Sequence, residues 1–377
     1  MNKFEIFYDK FSIILITLCF IFLTNSYFDY DESLLYGAAD ILYYYQIALS
    51  APELPDKIIG YHYAQRFFAP YVIGTISKLF NLEIIYIARF FVIAILLMQI
   101  FYILKINKLI KVKNDISILS VLIILLNPYN FRYYLSNPLM IQDFAFQLCF
   151  IILIYFFLKK ENLKLISLTF ISFFLRQTSI CFFISLLIVS IYDKKFFKFK
   201  EICLLIFLFV CSFFVITTIS SKISINNVFP YEHITGLYYW IMNDSYNSLK
   251  LMIFLLLPVI SYGPLIIFSI LFKKKKNIIQ DSLFLFLVCA TIIIFIQPIL
   301  AGPDVTGKNI IRLTSLAFPA LVIFCNYKIV KNNIFLRYQK FIYKFYPIFL
   351  IIWSLHPKYS NIGFYFFKNY NFFSSIF

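Results

Sequence analysis

Apolar runs follow one another along the chain at roughly the length of a bilayer crossing, and the short polar segments between them carry mostly lysine. A helix of about 20 apolar residues covers the hydrocarbon core, and broken helices manage with fewer. On that scale spans are expected near residues 11–26, 84–104, 115–127, 138–158, 163–175, 178–192, 201–220, 250–272, 281–300, 313–327 and 341–355. The pattern predicts an all-α polytopic membrane protein with about 11 transmembrane helices, forming one domain over residues 1–377. The only sizeable connections are 27–83 and 221–249. Residues 24–28 offer no small-x-small cleavage site, so the first run is expected to stay as a signal anchor.

Lysine placement predicts orientation, because cytoplasmic loops retain Lys and Arg. Lys3 and Lys10, Lys105 to Lys113, Lys159 to Lys164, Lys194 to Lys200, Lys273 to Lys276 and Lys328 to Lys344 mark alternate loops and hold 21 of the 28 lysines. The alternation closes only if Phe67 to Phe80 does not cross, so that segment reads as an interfacial or re-entrant helix on the outer face. The N-terminus is then cytoplasmic and the tail after Leu355 outside. In the first outer loop, 27–83, Leu34, Ala38, Leu42, Tyr45 and Leu49 recur at helical spacing, with Ser33, Gly37, Asp40 and Tyr44 on another face. A surface-lying amphipathic helix is expected there.

Composition removes whole classes of function. Hydrophobic residues make up 62% and charged residues 14%, with a mean hydropathy of +0.84, which leaves no polar block for a soluble catalytic domain. The formal charge of +16 does not imply a nucleic-acid partner, since the cations form short clusters between apolar runs rather than one wet face. All seven cysteines lie in apolar stretches without a CxxC pair, so neither a disulfide framework nor a zinc site is expected.

Chemistry has to sit where the charge pattern breaks. Between Tyr27 and Arg66 six acids face only Lys57 and Arg66, and three of the six, Asp29, Asp31 and Glu32, follow the first span directly. Carboxylates at a bilayer edge lose hydration and become capable bases, or are held together by a divalent cation such as Mg or Mn. The chain has only six arginines, and four of them, Arg66, Arg132, Arg176 and Arg312, map to outer loops, the reverse of what topology alone predicts. The planar fork of arginine grips phosphate oxygens at two points, which lysine cannot do. An anionic, phosphorylated substrate is therefore expected on the outer face. Arg176, with Gln177, interrupts an apolar stretch from Leu165 to Ile191, where a charge is costly unless it faces a polar cavity. Residues 302–309 add Asp304 and Lys308 ahead of Arg312. They contain Gly-x-x-x-x-Gly-Lys, but Asn follows and no strand precedes, so the phosphate-loop reading is rejected. His62, in Tyr61-His62-Tyr63-Ala64-Gln65-Arg66, is the histidine counted with this group.

This arrangement resembles the GT-C class of integral-membrane glycosyltransferases: a first span, an outer loop opening on an acidic pair motif (here Asp29, Asp31 and Glu32), amphipathic helices, then many spans broken by outer arginines. Phe174-Leu175-Arg176-Gln177-Thr178 is also similar to an Arg-Gln-Thr motif in one lipid-linked-oligosaccharide glucosyltransferase family of that class. The resemblance implies a polyprenyl-phosphate sugar donor and a glycan, lipid or protein acceptor. It also implies an inverting outer-face reaction, with or without a divalent cation, in a cell-envelope membrane. A transporter or flippase of lipid-linked saccharides, and a saccharide polymerase or ligase, are the alternatives. Against the first stands the lack of two similar halves with broken segments and of carboxylates inside spans, Asp143 being the exception.

Overall fold

The computed structural model describes residues 3–27, 39–56, 59–225, 232–242, 251–252, 254–258, 262, 265, 282–306, 309–330 and 336–355. Regular structure among them is helical, apart from one isolated bridge between Ile59 and Ser224. The N-terminal half comprises α1 (Lys3–Thr24), α2 (Ala39–Ser50), α3 (Tyr61–Ala64), α4 (Phe68–Phe80), α5 (Ile84–Leu109), α6 (Asn114–Leu126), α7 (Arg132–Ser136) and α8 (Ile141–Lys159). It continues with α9 (Asn162–Leu175), α10 (Ile180–Tyr192), α11 (Phe199–Ile223), α12 (Glu232–Met242), α13 (Ser282–Thr306), α14 (Ile310–Thr314), α15 (Phe318–Val330) and α16 (Leu336–Ser354).

Five segments are long and apolar enough to cross a membrane by length and composition: α5, Pro138–Lys159, α11, Ser282–Pro303 and Ile310–Tyr327. Shorter apolar helices occupy most of the other expected spans, and of 250–272 only nine residues are described. The chain is thus a helical integral membrane protein in which five helices are long and apolar enough to cross, against about 11 spans expected from sequence. The surface of α11 shows the environment directly. It exposes Phe207 and Phe214 while burying Ser212 and Ser220 completely, the reverse of a soluble helix. Lipid accepts phenyl rings, and small residues let helices approach closely.

Helices α8, α9 and α10 set Arg176 and the Lys159–Lys164 and Lys194–Lys200 loops at opposite ends of the bundle. Helix α8 runs from Asp143 to Lys159, α9 returns from Asn162 toward Arg176, and α10 leads away again toward Lys194. Nineteen helical residues rise about 28 Å, close to the hydrocarbon thickness. Hydrogen bonds join the lysine-side loops, Asn162 Nδ2 to the Phe196 carbonyl at 2.8 Å and Ser282 Oγ to Asp193 at 3.0 Å. Between the ends lies a core rich in phenylalanine, with Phe146 stacked on Phe182 at 4.8 Å and Phe157 on Phe286 at 5.2 Å.

Helices α2 and α4, both from the 27–83 segment, cap the arginine end. The 13 residues of α4 span about 20 Å. Helix α2 forms where periodicity places one, but with its faces exchanged. Ile41, Tyr44, Ile47 and Ala48 are buried, whereas Leu49 is 49% exposed and Leu42 and Tyr45 are only partly covered. The Asp40–Tyr44 side turns inward because its polar atoms find partners there, and apolar residues can face outward next to lipid. Gly74 allows α2 and α4 to touch: a Cβ there would lie 1.9 Å from the Ala48 carbonyl oxygen.

Candidate functional site: an arginine-lined cavity

The charged residues of the site all occupy helix starts or breaks, where backbone can leave helical geometry only because it lines a cavity or is buried in protein. Asp40 and Asp143 lie in the first turns of α2 and α8, the ends at which the helix dipole favours an anion. Arg66 follows α3 in the turn before α4. Arg176 separates α9 from a 3-10 turn at Gln177–Ser179, in extended conformation (φ −161°, ψ 137°). At that break both the Arg176 N–H and the Ser179 hydroxyl donate to the Ser172 carbonyl. Arg312 sits on α14, whose next residues form another 3-10 turn, Ser315–Ala317.

These breaks surround a cavity of about 140 Å³. Its lining includes the charged and polar side chains of Asp40, His62, Tyr63, Arg66, Arg176 and Arg312. Ile294, Pro298, Ala301, Leu313 and Leu316 add apolar surface, with Gln297 and Asn309 among them.

The arginines are held from behind. Arg176 is 3% exposed; it donates through Nη1 to Asp143 and through Nε to the Thr178 hydroxyl at 3.0 Å. Arg312 donates to the Tyr133 hydroxyl at 2.7 Å and to Asp40 Oδ2 at 3.5 Å, and its Nε stands 4.0 Å from Asp143 Oδ2. Arg66 donates to the Tyr44 hydroxyl at 3.4 Å. The Nε atoms of Arg66 and Arg312 are buried without a hydrogen-bond partner. Tyr63 donates to Asp40 and stacks on Tyr43 at 4.6 Å; burial, reinforced by Asp40, pushes its hydroxyl well above the usual tyrosine range, so it stays a donor.

Of the residues singled out from sequence, the structure brings His62, Arg66, Arg176 and Arg312 to one cavity. Gln177 is next to it but has another task, donating to the Gln65 carbonyl at 2.8 Å and so fastening the Arg176 break to the Arg66 turn. Arg132 is elsewhere. Fully buried, it donates to the Thr24 hydroxyl at 2.7 Å and lies over the Phe20 ring, and burial pushes its guanidinium down to about 10. Asp29, Asp31, Glu32 and Lys308 are outside the described residues, as is the side chain of Asp304, whose backbone belongs to α13. Helix runs up to residue 306 there, with Gly302 at φ 74°, so no strand leads into the glycine-lysine segment. Among the described residues no group of three or more His, Cys, Asp or Glu side chains is placed to hold a metal.

No family model, curated protein or solved structure matches the chain. The site has to be read from its own chemistry.

Two acids central to it are absent from the residues chosen on sequence. Asp40 carried a signal, sharing a helical face with Tyr44, but the more apolar face drew the inside assignment. Asp143 stands alone in an apolar run, and an intramembrane acid is by default functional or paired. Its partners are 33 and 169 residues away, so only the fold supplies them.

Proposed function

We propose that the protein is a membrane glycosyltransferase that moves a sugar from a polyprenyl-phosphate donor to an acceptor hydroxyl on the outer face, with inversion at the sugar carbon. The observation that carries this reading is a cavity lined by three arginines together with apolar residues such as Ile294, Leu313 and Leu316. Such a site suits a ligand that is anionic at one end and apolar at the other, which describes a lipid phosphate. The guanidiniums neutralise the phosphate as the bond from sugar C1 to its oxygen breaks and the electron pair passes to that oxygen. The acceptor oxygen forms the new bond to C1 and gives its proton to a carboxylate of the first loop, because an unactivated hydroxyl needs a base. Asp40 is the first-loop acid on the cavity wall, and Asp29, Asp31 and Glu32 precede it by at most 11 residues. The resemblance to GT-C enzymes supports the same reading, in which the enzyme works at a bacterial plasma membrane, and the lysine alternation supports a cytoplasmic N-terminus.

Transfer from a radiolabelled polyprenyl-phosphate sugar, followed in membranes that carry the protein, tests the proposal. Asp29→Asn, Asp31→Asn, Glu32→Gln and Asp40→Asn are compared at equal abundance, with Glu53→Gln as control. One of the first four should abolish transfer, and the control should retain it. Full activity in all four removes the base from the first loop. Movement of the lipid-linked sugar across the bilayer without transfer favours the flippase instead.

A further inference from the structure

The phosphate-binding arginines have a partner that never meets the ligand. Asp143 is absent from the cavity lining and completely buried, behind Arg176, which donates to it, and 4.0 Å from Arg312 Nε. Its Oδ2 has no hydrogen-bond partner. That oxygen faces Arg312 as an ion-pair partner, and the buried carboxylate acts on the cavity through its field.

That field changes the charge the ligand meets. Among the described side chains, the cavity and its direct ion-pair partners hold Arg66, Arg176 and Arg312 against Asp40 and Asp143, so three positive charges less two negative leave +1. Removing Asp143 raises that balance by one unit, whatever the other acids of the first loop contribute. A phosphodiester carries one negative charge, whereas a phosphomonoester near neutral pH carries about 1.5 to 2. Buried charges are weakly screened, so a mismatch of one unit is felt across several ångströms.

On the phosphate reading above, we propose that Asp143 is the specificity-determining residue that matches the cavity to a singly charged phosphodiester. It lets the intact lipid-phosphate donor bind in preference to the phosphomonoester left once the sugar has gone. The device is repulsive. Asp143 disfavours the second negative charge more than the first, and discrimination by an unfavourable contact is a general route to specificity. It also gives the spent carrier a reason to leave. Asp143 is a positioning residue as well, since Arg176 is oriented through it, but orientation alone would affect both esters alike.

The test uses the purified full chain in detergent and two probes with the same alkyl chain: a long-chain alkyl phosphate and its methyl diester. Calorimetry gives the affinity for each, and the ratio is the readout. Wild type should prefer the diester. Asp143→Asn should move the ratio toward the monoester by roughly tenfold or more, the scale of one unit charge at an effective dielectric of about 20. The same shift is expected when Asp143→Asn is added to Arg176→Gln, a background in which Arg176 is not left as an unpaired charge, so poor folding of the single variant does not end the test. Equal changes for both esters, or a wild-type preference for the monoester, overturn the proposal alone. Failure of wild type to bind either ester overturns it together with the phosphate reading.

Discussion

At the residue scale, the six arginines fall into different classes that sequence position does not separate. Arg176 and Arg312 share the carboxylate of Asp143 and face the cavity, while Arg132 is buried against a hydroxyl and a phenyl ring with no described carboxylate. Removing one member of a buried ion pair strands the other and costs about 3–5 kcal/mol, whereas replacing a buried charge by an apolar side chain of similar size is often neutral or better. Arg176→Met should therefore lower the thermal midpoint in detergent sharply, and Arg132→Met should leave it nearly unchanged. Equal losses would show that Arg132 has an anionic partner. The forked geometry makes a second prediction. Arg176→Lys and Arg312→Lys keep the charge and lose the two-point grip, so sugar transfer should fall by about tenfold to a hundredfold, the effect of one charge-assisted hydrogen bond to the leaving phosphate. Turnover should suffer as well as donor affinity, since charge on the phosphate grows as the bond breaks. Arg337→Lys is the control, and wild-type rates in all three variants would make the cavity arginines simple anchors.

At the element scale, the site depends on how short outer helices are seated on long ones. Helix α2 carries Asp40 and Tyr44 to the arginines, and its seat is the bare backbone of α4 at Gly74. Because the atom a Cβ would meet is backbone oxygen, Gly74→Ala forces the two helices apart rather than turning a side chain aside. The expected result is a stability loss of about 1–3 kcal/mol by overpacking. Transfer should fall further than stability, because Asp40 moves with α2. Retention of full activity by the alanine variant would separate the seat from the site. Elsewhere the bundle is tied by amides in the manner of membrane helices: Asn326 Nδ2 donates to Asn107 at 3.0 Å and to Ser120 at 2.8 Å, linking α15 to α5 and α6 near the lysine end.

At the scale of the whole molecule, the three cavity arginines lie at one end and the lysine loops flanking α8, α9 and α10 at the other, with about a bilayer's thickness of helix between. On the proposed topology, which follows the lysine alternation, the lysine end is cytoplasmic. Single cysteines at Lys111 and Lys195 should then be shielded from an impermeant thiol reagent in intact cells, and one at Tyr61 should be modified. The opposite labelling would turn the cavity to the cytoplasm and end the outer-face reaction.

Much of this organisation was legible in the residues themselves. Helical class and membrane residence follow from runs such as Ile84 to Leu104 and Phe199 to Ile223, because hydrocarbon admits only backbone that satisfies its own hydrogen bonds. The rarity of arginine and its position at span breaks singled out Arg66, Arg176 and Arg312, since a charge inside an apolar run needs a reason. The fold alone decided that these three share a cavity, that Arg132 does not, that Gln177 fastens one loop to another, and that Asp40 faces inward. It also placed Asp143 behind the arginines. Periodicity reports which residues share a face of one helix, but a charge pair depends on where two distant helix ends meet, and that is settled only when the whole bundle packs.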